Sequence, residues 1–297
     1  MSRNDNRSGL PDNGAAALDE TPAPIIGNPP GMPQASPEAP MFNWSTPTEF
    51  VKLPSGGRFY PAGHPLHNQE MVEIRFMTAK EEDILTSKSL LKEGLALDRM
   101  LQNILVDTNI KVSELLIGDK NALLVGARRT GYGPVYETKV TCPSCNTTDD
   151  FSFDISSPEV NDFEQNIDSS DTTTLTDQNT VVVKLPMTEV VVECRFLTGA
   201  DELRLAKTAE RKARKSKEES MSTDTMRAYI VSVNGDPSPL MKEALIQNIP
   251  ARDARFLRKA YAAVVPNIDM TQVYECPNCT YTADMEVPLG IDFFWPE

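Results

Sequence analysis

Histidine is nearly absent from this chain: only His64 and His67 occur. They sit in Gly63-His64-Pro65-Leu66-His67, where Pro65 opposes a helix and no third ligand is evident, so they read as loop residues. With no other imidazole, a Ser-His-Asp or Cys-His catalytic pair is nearly excluded. Phosphate-binding glycine loops are missing too, because the glycines around Arg128–Gly133 match neither a Walker loop nor a dinucleotide fingerprint. No apolar run is long enough to span a membrane, and no apolar core follows Arg3 and Arg7 as it would in a signal peptide. Cations are in deficit: the net charge of -14 disfavours a general nucleic-acid binder, which needs clustered Lys and Arg. The one basic cluster is Arg204, Lys207, Arg211, Lys212, Arg214, Lys215 and Lys217. It reads as a solvent-exposed helix, or else as a contact for an acidic surface.

Cysteine is scarce as well, with 5 in the chain, but four of them are placed with a pattern. Cys142-Pro143-Ser144-Cys145 and Cys276-Pro277-Asn278-Cys279 are matching doublets. A Cys-Pro-x-Cys turn lets two sulfurs point at one centre, and two such turns complete the tetrahedral thiolate shell that Zn²⁺ prefers. A strand precedes and follows each turn, Val135–Thr141 and Phe151–Phe153 in the first case, Gln272–Glu275 and Met285–Val287 in the second. In thioredoxin-like redox motifs the first Cys opens a helix instead. Closing the long loop between Cys145 and Cys276 costs roughly 5 kcal/mol of chain entropy. Structural Zn²⁺ supplies about 10–16 kcal/mol in small peptide hosts, so metal binding outweighs the closure. Cys142, Cys145, Cys276 and Cys279 are therefore expected to share one structural Zn²⁺ with no open position for substrate.

The rest of the chain repeats in step with the doublets. Val51-Lys52-Leu53-Pro54 and Val72-Glu73-Ile74-Arg75-Phe76-Met77-Thr78 correspond to Val183-Lys184-Leu185-Pro186 and Val192-Glu193-Cys194-Arg195-Phe196-Leu197-Thr198. Thr78 with Glu81, and Thr198 with the shorter Asp201, read as helix caps. Asp119 and Asp253 read as the starts of later helices, each at the same distance before its cysteine doublet. Cys194 aligns with Ile74, which makes it a buried apolar residue rather than a ligand.

Strands are expected over Met71–Met77 and Val181–Phe196, and helices over 79–93, 200–220, Leu115–Ala127 and Asp253–Ala263. Leu97, Met100, Leu101, Ile104 and Leu105 fall at helical spacing as one buried stripe. The sequence thus predicts an α+β fold of two similar α+β halves (an internal duplication), each ending in a β-hairpin zinc knuckle, joined at one shared zinc site of four cysteines. The expected organisation is a disordered proline-rich tail (1–43), a first repeat (44–155), an acidic flexible linker (156–180) and a second repeat (181–297).

Leu53-Pro54-Ser55-Gly56-Gly57-Arg58-Phe59-Tyr60-Pro61 is followed by Ile74-Arg75-Phe76-Met77-Thr78-Ala79-Lys80-Glu81-Glu82. Together with Asp107, the Cys142/Cys145 knuckle and the Phe293-Phe294-Trp295-Pro296 ending, this resembles the T4-like bacteriophage baseplate hub protein family, in its zinc-knuckle-containing members. The resemblance covers about residues 48–297. It implies a non-enzymatic structural or assembly component of the central baseplate of a contractile phage tail, with other baseplate or tail proteins as partners. It would lie in the virion, or in the host cytoplasm during assembly. From the residues alone, a zinc-ribbon adaptor for nucleic acid or protein stays open, as does a thiol oxidoreductase. The tail, the Leu53–Pro61 loop, the basic helix and the aromatic ending Phe293-Phe294-Trp295 are the candidate contact elements, and the ending reads equally as core.

Overall fold

Two hairpins of alternating β-branched residues begin the two halves. Strands β1 (Thr48–Lys52) and β2 (Met71–Arg75) pair antiparallel, with Val51 opposite Val72 and Glu49 opposite Ile74. The computed structural model describes residues 45–161, 163–214, 221–287 and 289–294; the expected 1–43 tail, Lys215, Lys217 and Trp295 lie outside them. After β2 come α1 (Ala79–Thr86), α2 (Lys88–Glu93), α3 (Ala96–Ile104) and α4 (Ile117–Tyr132), then the hairpin of β3 (Val135–Thr141) and β4 (Thr148–Asp154). The helix expected over 79–93 is broken at Ser87, whose backbone is extended. Gly133, with φ +88°, ends α4 in a conformation that side chains rarely adopt.

The remaining elements are β5 (Glu159–Val160), α5 (Phe163–Asp168), β6 (Thr173–Leu175), β7 (Thr180–Lys184), β8 (Val191–Arg195), α6 (Gly199–Arg214), α7 (Met221–Tyr229), β9 (Ile230–Val233), α8 (Pro239–Asn248), α9 (Ala251–Val264), β10 (Ile268–Asp269), β11 (Thr271–Glu275) and β12 (Thr282–Glu286). Strands β6-β7-β8-β9 form an antiparallel sheet, while β1-β2, β3-β4, β5-β10 and β11-β12 are two-stranded. The single strand expected over Val181–Phe196 is two, because Pro186 and the turn after it reverse the chain. The fold is mixed α and β, as predicted. In β7-β8, Val183 faces Val192 and Val181 faces Cys194, the register of β1-β2 again. Cys194 and Ile74 are both fully buried.

The same polar contacts recur around the two hairpins. Arg75 donates to both carboxylate oxygens of Glu81 at 3.0 and 2.6 Å, and Arg195 donates to both of Asp201 at 2.7 and 2.8 Å. The backbone N–H and hydroxyl of Thr78 donate to Glu81 at 2.9 and 2.7 Å; those of Thr198 donate to Asp201 at 3.0 and 3.1 Å. Asp119 and Asp253 do not start their helices, which begin at Ile117 and Ala251. Their carboxylates instead hold the turn that follows the first strand of each hairpin. Asp119 accepts from the Ser55 amide and hydroxyl (3.0 and 2.6 Å) and the Tyr60 hydroxyl (2.7 Å). Asp253 accepts from the amides of Met187 and Thr188 (3.1 and 3.0 Å) and the Thr188 hydroxyl (2.7 Å).

The stretch expected as a flexible acidic linker, 156–180, carries β5, α5 and β6. Its acids hide apolar anchors: Phe163 is buried edge-on against Phe59 at 5.5 Å, and Ile167 and Leu175 pack on the core. Asn161 donates from its backbone to Asn267 and from its side chain to Val265, and β6 joins β7. The Leu53–Pro61 loop, expected as a contact, is largely core: Leu53, Ser55, Phe59 and Tyr60 are buried. Phe293 and Phe294 are buried too, and Arg128 donates to the Phe293 carbonyl at 2.9 Å. On α6, Arg204, Lys212 and Arg214 pair with Asp201, Asp224 and Glu210, consistent with a solvated charged helix.

The halves meet through backbone. The Ile117 amide donates to the Leu197 carbonyl at 3.1 Å, and the Gly199 amide to the Leu115 carbonyl at 2.9 Å. Beside this seam, Lys120 is buried between Asp98 at 2.5 Å and Glu202 at 2.7 Å, and Phe59 packs on Phe196 with centroids 4.6 Å apart. Gly118 lies so close to the second half that an added Cβ would sit 1.9 Å from the Pro266 carbonyl oxygen. The described residues from Ser45 onward pack as one unit around one apolar core.

Burial alone would raise the Glu81 carboxyl; the Arg75 guanidinium, Thr78 and Asn103 outweigh it and lower it from 4.5 to about 2. A carboxyl depressed on folding stabilises the protein above its unfolded value and loses that contribution as pH falls toward the folded one. Arg75→Met should therefore lower stability by about 3 kcal/mol at pH 7. In urea denaturation, the gap between variant and wild type should narrow from pH 4.5 toward pH 2 as Glu81 protonates. Gly118→Ala should cost about 3 kcal/mol or more in thermal unfolding, because the clash is with backbone that cannot rotate away.

Candidate metal centre

Each cysteine doublet sits at the tip of a hairpin, and the two tips close in the same way. The Cys142 amide donates to the Thr147 carbonyl at 2.9 Å, and the Cys276 amide to the Tyr281 carbonyl at 3.0 Å. In the first tip Asn146 takes a φ of 56°, the left-handed conformation that Asn tolerates better than most residues. Strands β3-β4 and β11-β12 then fix the direction of each tip.

Side chains bind the hairpins to each other. Gln272 of β11 accepts from the Asp154 amide at 3.1 Å and donates to the Asp154 carbonyl, standing in for one rung of a sheet between β11 and β4. Asn278 donates to Asp149 and, at 3.4 Å, to the Thr147 hydroxyl. Phe151 packs edge-on against Tyr274 at 5.1 Å. None of these partners is visible as a motif, since each joins residues far apart in sequence.

The result brings together all four predicted site residues. The sulfurs of Cys142, Cys145, Cys276 and Cys279 lie within 4.8 Å of one another. Two of the separations cross between hairpins: Cys142 to Cys279 at 3.8 Å and Cys145 to Cys276 at 3.7 Å. A disulfide would need about 2.05 Å, so all four are thiols. Four sulfur donors in this arrangement could hold a metal ion.

Hydrogen bonds prepare the sulfurs for ionisation. Burial pushes the Cys276 thiol up, but the amides of Asn278 and Cys279 and the neighbouring sulfurs bring it down to about 6. The Thr147 hydroxyl, 2.8 Å from Cys145, and the Thr147 amide lower Cys145. Cys279 goes the other way: the Tyr281 amide lowers it, yet burial and the three other sulfurs hold it up at about 11. Four thiolates cannot crowd together uncompensated, and a dication held by all four would remove the last proton.

The two histidines lie elsewhere. The His64 ring stacks on Tyr60 with centroids 4.6 Å apart and accepts the Leu66 amide at Nδ1, and His67 Nδ1 lies 2.7 Å from the Tyr60 carbonyl. Both organise the 60–67 loop, as expected. Among the described residues, the four cysteines form the only group of three or more His, Cys, Asp or Glu side chains poised to hold a metal. Among those residues too, no helix is long and apolar enough to cross a membrane.

The sequence profile of the T4 bacteriophage base plate protein family matches residues 46–295, a span that includes both cysteine hairpins. No curated protein and no solved structure matches the chain. The profile spans most of the sequence and nearly all of the described residues, and the chain belongs to the T4 bacteriophage base plate protein family.

Proposed function

We propose that this chain is a non-enzymatic component of the central, hub region of a contractile phage tail base plate, built from an internal duplication and closed by one structural Zn²⁺. Family membership makes it a structural part of a phage base plate, which works against other tail proteins. The observation that carries the finer reading is the convergence of four sulfurs from two hairpins. Zinc–sulfur bonds of about 2.3 Å at tetrahedral angles set sulfur–sulfur edges of about 3.8 Å. The two cross-hairpin pairs stand at 3.8 and 3.7 Å.

A shell of four cysteine thiolates leaves no position for water or substrate, so bound zinc would lock the two hairpins rather than catalyse. The paired hairpin registers, the Arg75–Glu81 and Arg195–Asp201 pairs and the Asp119 and Asp253 turns support descent from one duplicated unit. The acidic residues around the knuckles, Asp149, Asp150 and Asp284, weigh against a nucleic-acid adaptor.

Native mass spectrometry of the chain should give one zinc per chain, lost or sharply weakened in Cys142→Ser and in Cys276→Ser alike. Zinc retained by either variant would count against a shared site. For the hub assignment, purified particles of the phage that encodes the chain should contain it. Its presence only in lysates of assembling phage would assign it to assembly instead.

A further inference from the structure

Tyr274 is a neighbour of the cysteine cluster that the ligand count does not require. It lies on β11, and Cys276 follows one residue past the strand's end, where its amide still pairs across the hairpin with Tyr281, so the two side chains leave the same face. Tyr274 is 1% exposed, and its hydroxyl is buried with no hydrogen-bond partner of good geometry among the described residues. Leaving a buried hydroxyl unpaired costs about 1–3 kcal/mol. Packing does not demand that hydroxyl: the matching position of the first hairpin is Val140, also buried and wholly apolar. Tyr274 and Cys276 are both buried while Glu275 between them is exposed, so the ring and the sulfur lie on the inward side of the hairpin.

The chemistry of the cluster supplies the missing acceptor. Four thiolates around a dication leave two negative charges in a partly buried site, and Asp149 and Asp150 add more nearby. Dipoles must offset that charge. The Thr147 hydroxyl already lies 2.8 Å from the Cys145 sulfur. Each half of the cluster thus has a hydroxyl beside it: Thr147 from the first hairpin and Tyr274 from the second.

We infer that Tyr274 is a positioning residue of the metal centre, its hydroxyl donating a hydrogen bond to the thiolate sulfur of Cys276. The assignment rests on the reading that the four cysteines hold a metal. The bond would draw negative charge away from Cys276 and orient its sulfur toward the ion. Hydrogen-bond partners of metal ligands typically govern about 10–100-fold in affinity.

The test uses the full chain, wild type and Tyr274→Phe, loaded with Co²⁺ and separately with Zn²⁺. The phenylalanine variant removes one oxygen and keeps the ring against Phe151. Its sulfur-to-cobalt charge-transfer band should move to longer wavelength, and chelator competition should show zinc held on the order of tenfold more weakly. A band and an affinity equal to wild type would overturn the assignment and leave the metal reading standing. A wild-type chain that takes up neither ion would overturn the metal reading, and the assignment with it. Should the variant fail to fold, wild-type chain loaded with ¹¹³Cd decides the matter by NMR. A scalar coupling between the Tyr274 hydroxyl proton and the metal supports the hydrogen bond, and a hydroxyl proton without such coupling overturns it.

Discussion

The seam between Leu115–Ile117 and Leu197–Gly199 is the constraint on which the rest of this structure depends. Two backbone hydrogen bonds cross it, and Gly118 lets the Pro266 carbonyl approach where any side chain would collide. α4 starts at this seam and leads into the first knuckle hairpin, while Pro266 and Asn267 precede β10 and the second. Fixing α4 against the Pro266 segment therefore fixes the origin of both hairpins. The cluster of four sulfurs follows from that docking, with Gln272 and Asn278 aligning the tips. Metal binding would add to an arrangement that packing has already brought close, and the loop-closure entropy would be met largely by the core.

The repeated carboxylates show what the two halves share and where they differ. Glu81 and Asp201 each pair with an arginine from the preceding strand while accepting from a threonine at the helix start. One buried carboxylate thus ties strand, turn and helix together in each half. Asp119 and Asp253 both hold the turn after the first strand, but in different surroundings. Asp119 is sealed with Ser55 and Tyr60, and burial raises its carboxyl. For Asp253, burial is outweighed by the Thr188 and Met187 donors, and its carboxyl is lowered. The long 53–70 loop explains the difference, because it brings Tyr60 over Asp119 and shuts out solvent.

What could be read from the sequence was local pattern or exact spacing. The cysteine doublets, the Thr78 and Thr198 caps and the α3 stripe each rest on residues within a few positions of one another, and the buried position of Cys194 on its alignment with Ile74. The misreadings have a common cause in long-range partners. Asp119 and Asp253 look like helix starts because acids favour first turns, yet their acceptors are claimed by Ser55 and Met187, far away in the chain. The 156–180 stretch looks like a linker because its charge count hides Phe163, Ile167 and Leu175, which find apolar surface only after the halves dock. The Phe293-Phe294 pair reads equally as contact or core for the same reason, since the core it enters is built by Tyr132 and Tyr136 of the first half.

The division of the sulfur cluster between hairpins has a consequence for the order of events during synthesis. Cys142 and Cys145 leave the ribosome long before Cys276 and Cys279 exist, so a nascent chain presents half a site that cannot close. Only after the second hairpin is made and docked do the four sulfurs meet. An ion held by all four sulfurs would therefore tie the two hairpins together only once both are complete and docked.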